Sequence, residues 1–282
     1  MDDSLNQVLA HAVSLAESAG ALLLDKFGQL ASGEVGHKSA SRDLVTAADL
    51  ASEAFILRGL QDAFPDDSVL AEEDAKGVFA RESGQTGSSW IVDPLDGTVN
   101  FVHGLPMWGV SIARMTDDKV DVAVVHLPRL QETFTAVLGG GAFLNGRPIQ
   151  VSDAKHLADT VLATGFPYRR HVLLDDNLEN FQRLFLHQRG VRRMGAAAVD
   201  LAYVAAGRLG AFWELHLAPW DVAAGGLLVQ EAGGVVDTIQ PSGDWLFGRN
   251  LLAGPEPLLL EMREHLLAGR DQDYPPLGEH PS

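Results

Sequence analysis

The chain has 282 residues, enough for one large or two medium domains, and its 46% hydrophobic and 21% charged content is that of a packed globule. Lys+Arg 21 against Asp+Glu 38 leaves a formal charge of −17, which opposes generic affinity for nucleic acid or anionic membrane. With Cys 0 there is no disulfide framework, thiol nucleophile, iron–sulfur cluster or Cys-type zinc site.

The opening Met1-Asp2-Asp3-Ser4 has no basic region and leads into no apolar core of the signal-peptide kind. No apolar run is expected to reach the roughly 18 residues of a membrane span. The expectation is a cytoplasmic protein. Leu5, Val8, Leu9, Ala12, Ala16, Ala19, Leu23 and Phe27 recur at helical spacing and predict an amphipathic first helix over 5–27, capped by Gly28. A loop with Gly33, Gly36, Lys38 and Ser39 leads to a second helix from near Thr46, with Leu50, Phe55, Leu57, Leu60 and Phe64 as its apolar positions.

Short strands are predicted at Val69-Leu70-Ala71 and Trp90-Ile91-Val92, each running into acidic residues. Segments 110–115, 120–127 and 132–138 are rich in Val, Ile, Phe and Thr and predict an antiparallel meander, continued through turns at Gly139-Gly140-Gly141 and Asn145-Gly146. From about residue 152 strand and helix alternate: strands at Val161–Thr164, Val191–Met194, Ala211–Leu215 and Val235-Val236, helices at Leu178–His187, Ala197–Ala206, Asp221–Ala232 and near Pro257–Leu267. The expected organisation is an α+β half over 1–150 and an α/β half over 151–268. Residues 269–282, with three Pro and no periodicity, read as a frayed tail.

The chemistry concentrates in Trp90-Ile91-Val92-Asp93-Pro94-Leu95-Asp96-Gly97-Thr98-Val99-Asn100-Phe101. An apolar strand delivers Asp93, Pro94 is expected to stop the ladder because it has no N–H, and Asp96 follows three residues on. Two carboxylates this close repel each other, and a bound cation relieves the repulsion. Gly97 lets backbone approach a ligand, and Gly97/Thr98 open a short helix whose free N–H groups suit phosphate. Acidic oxygens beside an anion-binding turn suggest Mg²⁺ bridging protein to phosphate; an ordinary Asp-Gly turn is the plainer reading. Glu72-Glu73-Asp74 follows its own strand as a ligand set or a solvated turn. Asp221 opens a helix and Thr46-x-x-Asp49 fits a capping box, so each also has a purely structural reading.

Four pieces in order resemble the inositol monophosphatase family: Asp43-Leu44-Val45-Thr46-Ala47-Ala48-Asp49, Ala71-Glu72-Glu73, Trp90–Phe101, and Trp220-Asp221-Val222-Ala223-Ala224-Gly225 with Glu231-Ala232-Gly233-Gly234. Thr164-Gly165-Phe166-Pro167 and Asp200–Gly207 resemble its bacterial branch, and the resemblance covers roughly residues 5–268. It implies a layered αβαβα sugar-phosphatase fold and a Mg²⁺-dependent, Li⁺-sensitive phosphomonoesterase, often homodimeric, acting on a small phosphorylated polyol such as inositol monophosphate. By motif position, Glu72, Asp93 and the Leu95 carbonyl would hold one metal, Asp93, Asp96 and Asp221 a second, with a third, weaker ion near Glu72. Thr98, paired with Asp49, or else Glu72 would take the proton of the nucleophilic water. Gly97 and Thr98 N–H groups would bind phosphate, and Glu214, Asp221 and the backbone of Gly195-Ala196-Ala197 would meet substrate hydroxyls. Arg192 and Arg193 would draw in phosphate or balance the acidic surface.

Departures are Ala71, where many relatives carry Gly, Ala196 in place of a frequent Thr or Ser, and Pro106-Met107-Trp108 after the long motif. None removes an implied metal ligand; Ala196 bears on the alcohol. Rival substrates for the same chemistry are fructose 1,6-bisphosphate, NADP, 3′-phosphoadenosine 5′-phosphate and histidinol phosphate. A rival of another class is a regulatory binding protein on this fold, acting through RNA or the transcription machinery. Its hallmark would be lost ligands or a basic face; Arg169-Arg170 and Arg192-Arg193 are too few for one, so nucleic acid is not an expected partner. No P-loop, dinucleotide turn, Gly-x-Ser-x-Gly elbow or His-Glu-x-x-His pair occurs.

Overall fold

The computed structural model describes residues 3–29, 35–37, 44–73 and 87–280. Gly33, Lys38, Ser39, Asp43 and Asp74, singled out above, lie outside the described residues. Five layers alternate. Helices α1 (Asp3–Lys26) and α2 (Ala47–Ala63) cover one face of a seven-stranded sheet in chain order β3 (Ser68–Ala71), β4 (Ser88–Asp96), β5 (Gly109–Thr116), β6 (Lys119–Leu127), β7 (Glu132–Val137), β8 (Gly141–Leu144) and β9 (Arg147–Pro148). β3 and β4 pair parallel and the rest antiparallel, the predicted meander. A small hairpin, β1 (Val35–His37) with β2 (Leu44–Thr46), stands where a loop was expected.

The middle layer is α5 (Ala197–Ala205) and α6 (Pro219–Glu231). Beyond it lies a five-stranded sheet of order β11 (Gly190–Arg192), β10 (Val161–Thr164), β12 (Ala211–Leu215), β14 (Asn250–Gly254), β13 (Val235–Asp237), closed outside by α4 (Leu178–Leu184) and α7 (Glu256–Leu267). The short helix α3 (Thr98–Val102) connects β4 to β5. The αβαβα stack implied by the family resemblance is the observed fold.

The reason is burial on both faces of each sheet. Along β6, Val122 and Val124 enter the core under α1 and α2, while Ala123, Val125 and Leu127 enter the central core. α6 lies between two sheets and is buried at every residue from Val222 to Val229, so it shows no polar face. α1 is long and apolar enough to cross a membrane by length and composition alone, against the expectation that no segment reaches that mark. Here it buries Ala12, Leu15, Ala16, Ala19 and Leu23 in the core beneath it.

The remaining corrections are local. β14 was not predicted, α4 ends three residues earlier than expected, and β11 begins one residue early and stops at Arg192. The frayed-tail reading of 269–282 is overturned for the described part. Tyr274 is only 7% exposed and packs in the core between the second sheet and α7, with its hydroxyl 2.7 Å from Asp175 Oδ2 and 2.6 Å from Asn180 Oδ1. One aromatic ring with two polar partners fixes a segment that hydropathy periodicity cannot detect.

Candidate active site

The first half of the site is built where β3 and β4 run side by side. Glu72 follows β3 directly, and its N–H donates to the Val92 carbonyl at 3.2 Å. Asp93 does not end β4. Pro94 sits in a bulge and pairing resumes at Asp96 opposite Gly109, so the expected stop is an irregularity inside the strand. The missing N–H is absorbed there: Asp93 Oδ1 accepts the Leu95 N–H at 2.9 Å, and the Ser52 hydroxyl donates to the Pro94 carbonyl at 2.9 Å. The bulge turns the chain so that Asp93, Leu95 and Asp96 are all buried.

Gly97 then adopts φ 88°, and a Cβ on it would lie 2.9 Å from the Met107 carbonyl oxygen and 3.1 Å from Ala196 Cβ. Only glycine fits both the torsion and the gap. α3 begins at Thr98, whose hydroxyl donates to Asp49 Oδ1 at 2.9 Å. Asp49 also completes the predicted capping box, its Oδ2 accepting the Thr46 N–H at 2.9 Å and the Thr46 hydroxyl at 2.6 Å. Its structural and functional readings are therefore compatible: one oxygen caps α2 while the other holds Thr98.

The second half arrives from α5, β12 and α6. Ala196 precedes α5 as its N-cap, and Asp96 Oδ2 accepts the Ala198 N–H at 2.8 Å, tying β4 to that helix start. Asp221 is the third residue of α6, which starts at Pro219 rather than at Asp221 as predicted; its Oδ2 accepts the Ala218 N–H at 2.7 Å. Asn100 stitches the halves, donating to the Met107 and Met194 carbonyls at 2.5 and 2.8 Å. Glu214 lies on β12 against Gly165, where any Cβ would collide with its carboxylate.

A cavity of about 550 Å³ brings together Glu72, Asp96, Gly195, Ala196, Ala197, Glu214 and Asp221. Asp49, Asp93, Leu95, Gly97 and Thr98 do not line it; they are buried in the adjoining α2 and β4–α3 segments. Ala71 lies in β3 outside the positive-φ residues, so its methyl is tolerated where a glycine is frequent. Trp108 is fully buried in the core under α1 and α2. Of the two arginines left open, Arg193 borders the cavity and Arg192 does not.

Electrostatics single out the same residues. Burial pushes Asp96 up to about 7, against the Ala198 N–H bond and with help from the Glu72 charge. Burial likewise raises Glu214 to about 8, with Arg193 opposing and Asp96 adding. Asp221 stands well above the carboxylate range through burial, then through Glu72 and its other acidic neighbours. Asp200 in α5, given no role from the sequence, is also raised by burial and then by Glu214 and Asp96, and its Oδ1 is buried without a partner. Such a concentration of strained acids marks a functional site more often than a structural one.

Among the described residues no three acidic or imidazole side chains close into a chelate. The acidic groups on the cavity are nonetheless carboxylates, hard oxygens throughout, and mutual repulsion among Glu72, Asp96 and Asp221 is what a divalent cation removes. The set fits Mg²⁺ and does not fit a thiophilic metal.

Asn100, Gly165 and Asp200 lie inside the sequence motifs, but none of them carries an expected role in the site. For Gly165 the available signal is a glycine directly after a buried strand end.

A sequence profile of the inositol monophosphatase family matches residues 4–270. The chain belongs to that family. A curated relative named Nus factor SuhB, from Pseudomonas aeruginosa, is 43% identical over 271 residues, covering 93% of this chain and 98% of the relative. An inositol-1-monophosphatase from Mesorhizobium japonicum is 40% identical over 244 residues, covering 86% and 90%. The crystal structure of the extragenic suppressor protein SuhB from Bartonella henselae superposes with a TM-score of 0.85 at 38% identity, covering 93% of this chain and 99% of that one. Family membership thus supports a phosphatase ancestry, while the SuhB names give the expectation against nucleic-acid partners no support.

Proposed function

We propose that this chain is a Mg²⁺-dependent phosphomonoesterase that hydrolyses inositol monophosphate to inositol and phosphate. The observation that carries the reading is the convergence of Glu72, Asp96, Asp221 and Glu214, from separate elements, on one cavity beside the Thr98–Asp49 pair. Glu72, Asp93, the Leu95 carbonyl, Asp96 and Asp221 would hold the metal. Bound Mg²⁺ supplies charge neutralisation for the phosphate and a more acidic water.

The protein's own groups do the rest by position. Thr98 Oγ1 donates to Asp49 Oδ1 at 2.9 Å, with the Leu95 carbonyl as a second acceptor at 3.2 Å, and its lone pairs can accept a proton. As a water attacks phosphorus its proton passes to Thr98 Oγ1 and the Thr98 proton to Asp49, while the bond from phosphorus to the ester oxygen breaks and the departing alkoxide takes a proton from solvent water. Backbone N–H groups of Gly97 and Thr98 would receive the phosphate oxygens. Glu214, held up at about 8, keeps its proton at neutral pH and can donate to a substrate hydroxyl as well as accept from one. Gly195-Ala196-Ala197 supplies backbone to the same cavity.

The test is phosphate release from inositol 1-phosphate, fructose 1,6-bisphosphate, NADP, 3′-phosphoadenosine 5′-phosphate and histidinol phosphate, each with Mg²⁺, EDTA and added Li⁺. Mg²⁺-dependent, Li⁺-sensitive release led by inositol 1-phosphate is expected; release led by another ester would move the substrate, and none would remove the reading. A second reading, a role apart from hydrolysis, is favoured by the name of the Pseudomonas aeruginosa relative. A cellular role that survives Asp93→Asn would belong to that second reading.

A further inference from the structure

The family match ends at residue 270, yet the chain continues and returns to the active site. The return is anchored twice. Tyr274 is buried between Asp175 and Asn180, with the Arg270 guanidinium 3.9 Å from its ring centroid. Past it, the Leu174 N–H donates to the Gly278 carbonyl at 3.0 Å and the His280 N–H to the Val172 carbonyl at 2.7 Å, with Leu173 and Glu279 forming an antiparallel bridge. Residues 277–280 are thus a single added strand-like segment along 172–174. Two of its side chains, Leu277 and Glu279, line the same cavity as Glu72, Asp96, Glu214 and Asp221. Glu279 Oε1 lies 2.8 Å from Arg169 Nη1, and Arg169 also borders the cavity.

We infer that this segment forms the outer wall of the substrate cavity, and that Leu277 and Glu279 select compact, uncharged leaving groups over those bearing a second phosphate. The inference rests on the phosphatase reading above and deepens it. Discrimination comes from what the wall withholds. Leu277 offers an apolar surface without a hydrogen-bond donor, and of the three guanidiniums on the cavity, those of Arg169, Arg193 and Arg249, Glu279 engages that of Arg169 and adds a like charge on its side of the wall. Both partners of that pair are about half exposed, at 46% and 50%, so solvent screens it and its effect is a modest factor.

The experiment compares kcat/KM for inositol 1-phosphate and fructose 1,6-bisphosphate in three proteins: the full chain, Glu279→Gln, and a chain ending at Pro276. The last keeps the Tyr274 anchor and removes both wall side chains, and melting curves confirm that each variant is folded. The ratio of bisphosphate to monophosphate is expected to rise roughly threefold in Glu279→Gln and roughly tenfold in the shortened chain, carried by KM for the bisphosphate. A ratio within about twofold of the full chain in both folded variants overturns the inference. Should the full chain hydrolyse neither ester, the phosphatase reading fails by itself. Calorimetric affinities of the three proteins for the same two esters with Mg²⁺ then decide the wall's role by the same ratio.

Discussion

Thr98 and Asp49 show how a single side chain serves fold and chemistry together. Asp49 is fully buried, and its two oxygens are divided between the α2 cap and the Thr98 hydroxyl. Thr98→Val keeps the shape and removes the hydroxyl. Turnover with Mg²⁺ should fall by about 10²–10⁴, the usual range for a lost proton acceptor, with only a modest drop in melting temperature. Unchanged kcat would show that Glu72, not the Thr98 pair, takes the proton. Glu214 stands on β12, in the other sheet from the β4 segment that leads to Thr98. Glu214→Gln should alter the ranking of substrates; an equal loss on all of them would make Glu214 structural or directly catalytic.

Elements fix where those residues stand, and they differ in how plainly the sequence announces them. β10 and β12 match their predicted bounds, and the β5–β6–β7 meander follows from dense Val and Ile with close turns. β14 escaped notice because Asn250-Leu251-Leu252-Ala253-Gly254 has no β-branched residue and is buried at every position, which erases alternation. Pro94 misled in the other direction: a proline in a strand signals an end or a bulge, and only the Ser52 and Asp93 bonds reveal a bulge. The carboxylates at strand ends were visible as residue types, whereas their assignment to one site came from the family resemblance, since Asp49, Asp93 and Asp221 are far apart in sequence. Asn100 acts through a hydrogen bond to the distant Met194 carbonyl, and Asp200 is marked by burial and by the charges of Glu214 and Asp96, none of which a local pattern contains.

Two variants measure element packing. Leu227→Ala in the fully buried middle of α6 should cost about 2–5 kcal/mol in urea unfolding, because sheets on both sides cannot collapse into the gap. Tyr274→Phe leaves Asp175 and Asn180 short of a partner and should cost about 1–3 kcal/mol. A change below a few tenths would mean that the segment after α7 contributes nothing to the fold.

The whole molecule carries −17, and the central cavity gathers Glu72, Asp96, Glu214 and Asp221 among its lining residues. Asp96 at about 7 and Glu214 at about 8 stay protonated in the fold after the unfolded chain has lost those protons near pH 4. Between those limits the native state binds more protons, so this contribution to stability is lost as pH rises from about 4 to about 8. In EDTA the melting temperature should therefore be lower at pH 8 than at pH 5.5. Mg²⁺, which competes with protons for the same oxygens, should raise it more at pH 8. A Mg²⁺ shift equal at both values would place the ion elsewhere.

Phosphate release from inositol 1-phosphate by the native chain and by Asp93→Asn, each with Mg²⁺ and with EDTA, tests the central claim most directly. Release that EDTA abolishes, and that Asp93→Asn lowers by orders of magnitude with an unchanged circular dichroism spectrum, is the predicted result. Near-normal Mg²⁺-dependent release by Asp93→Asn would contradict it.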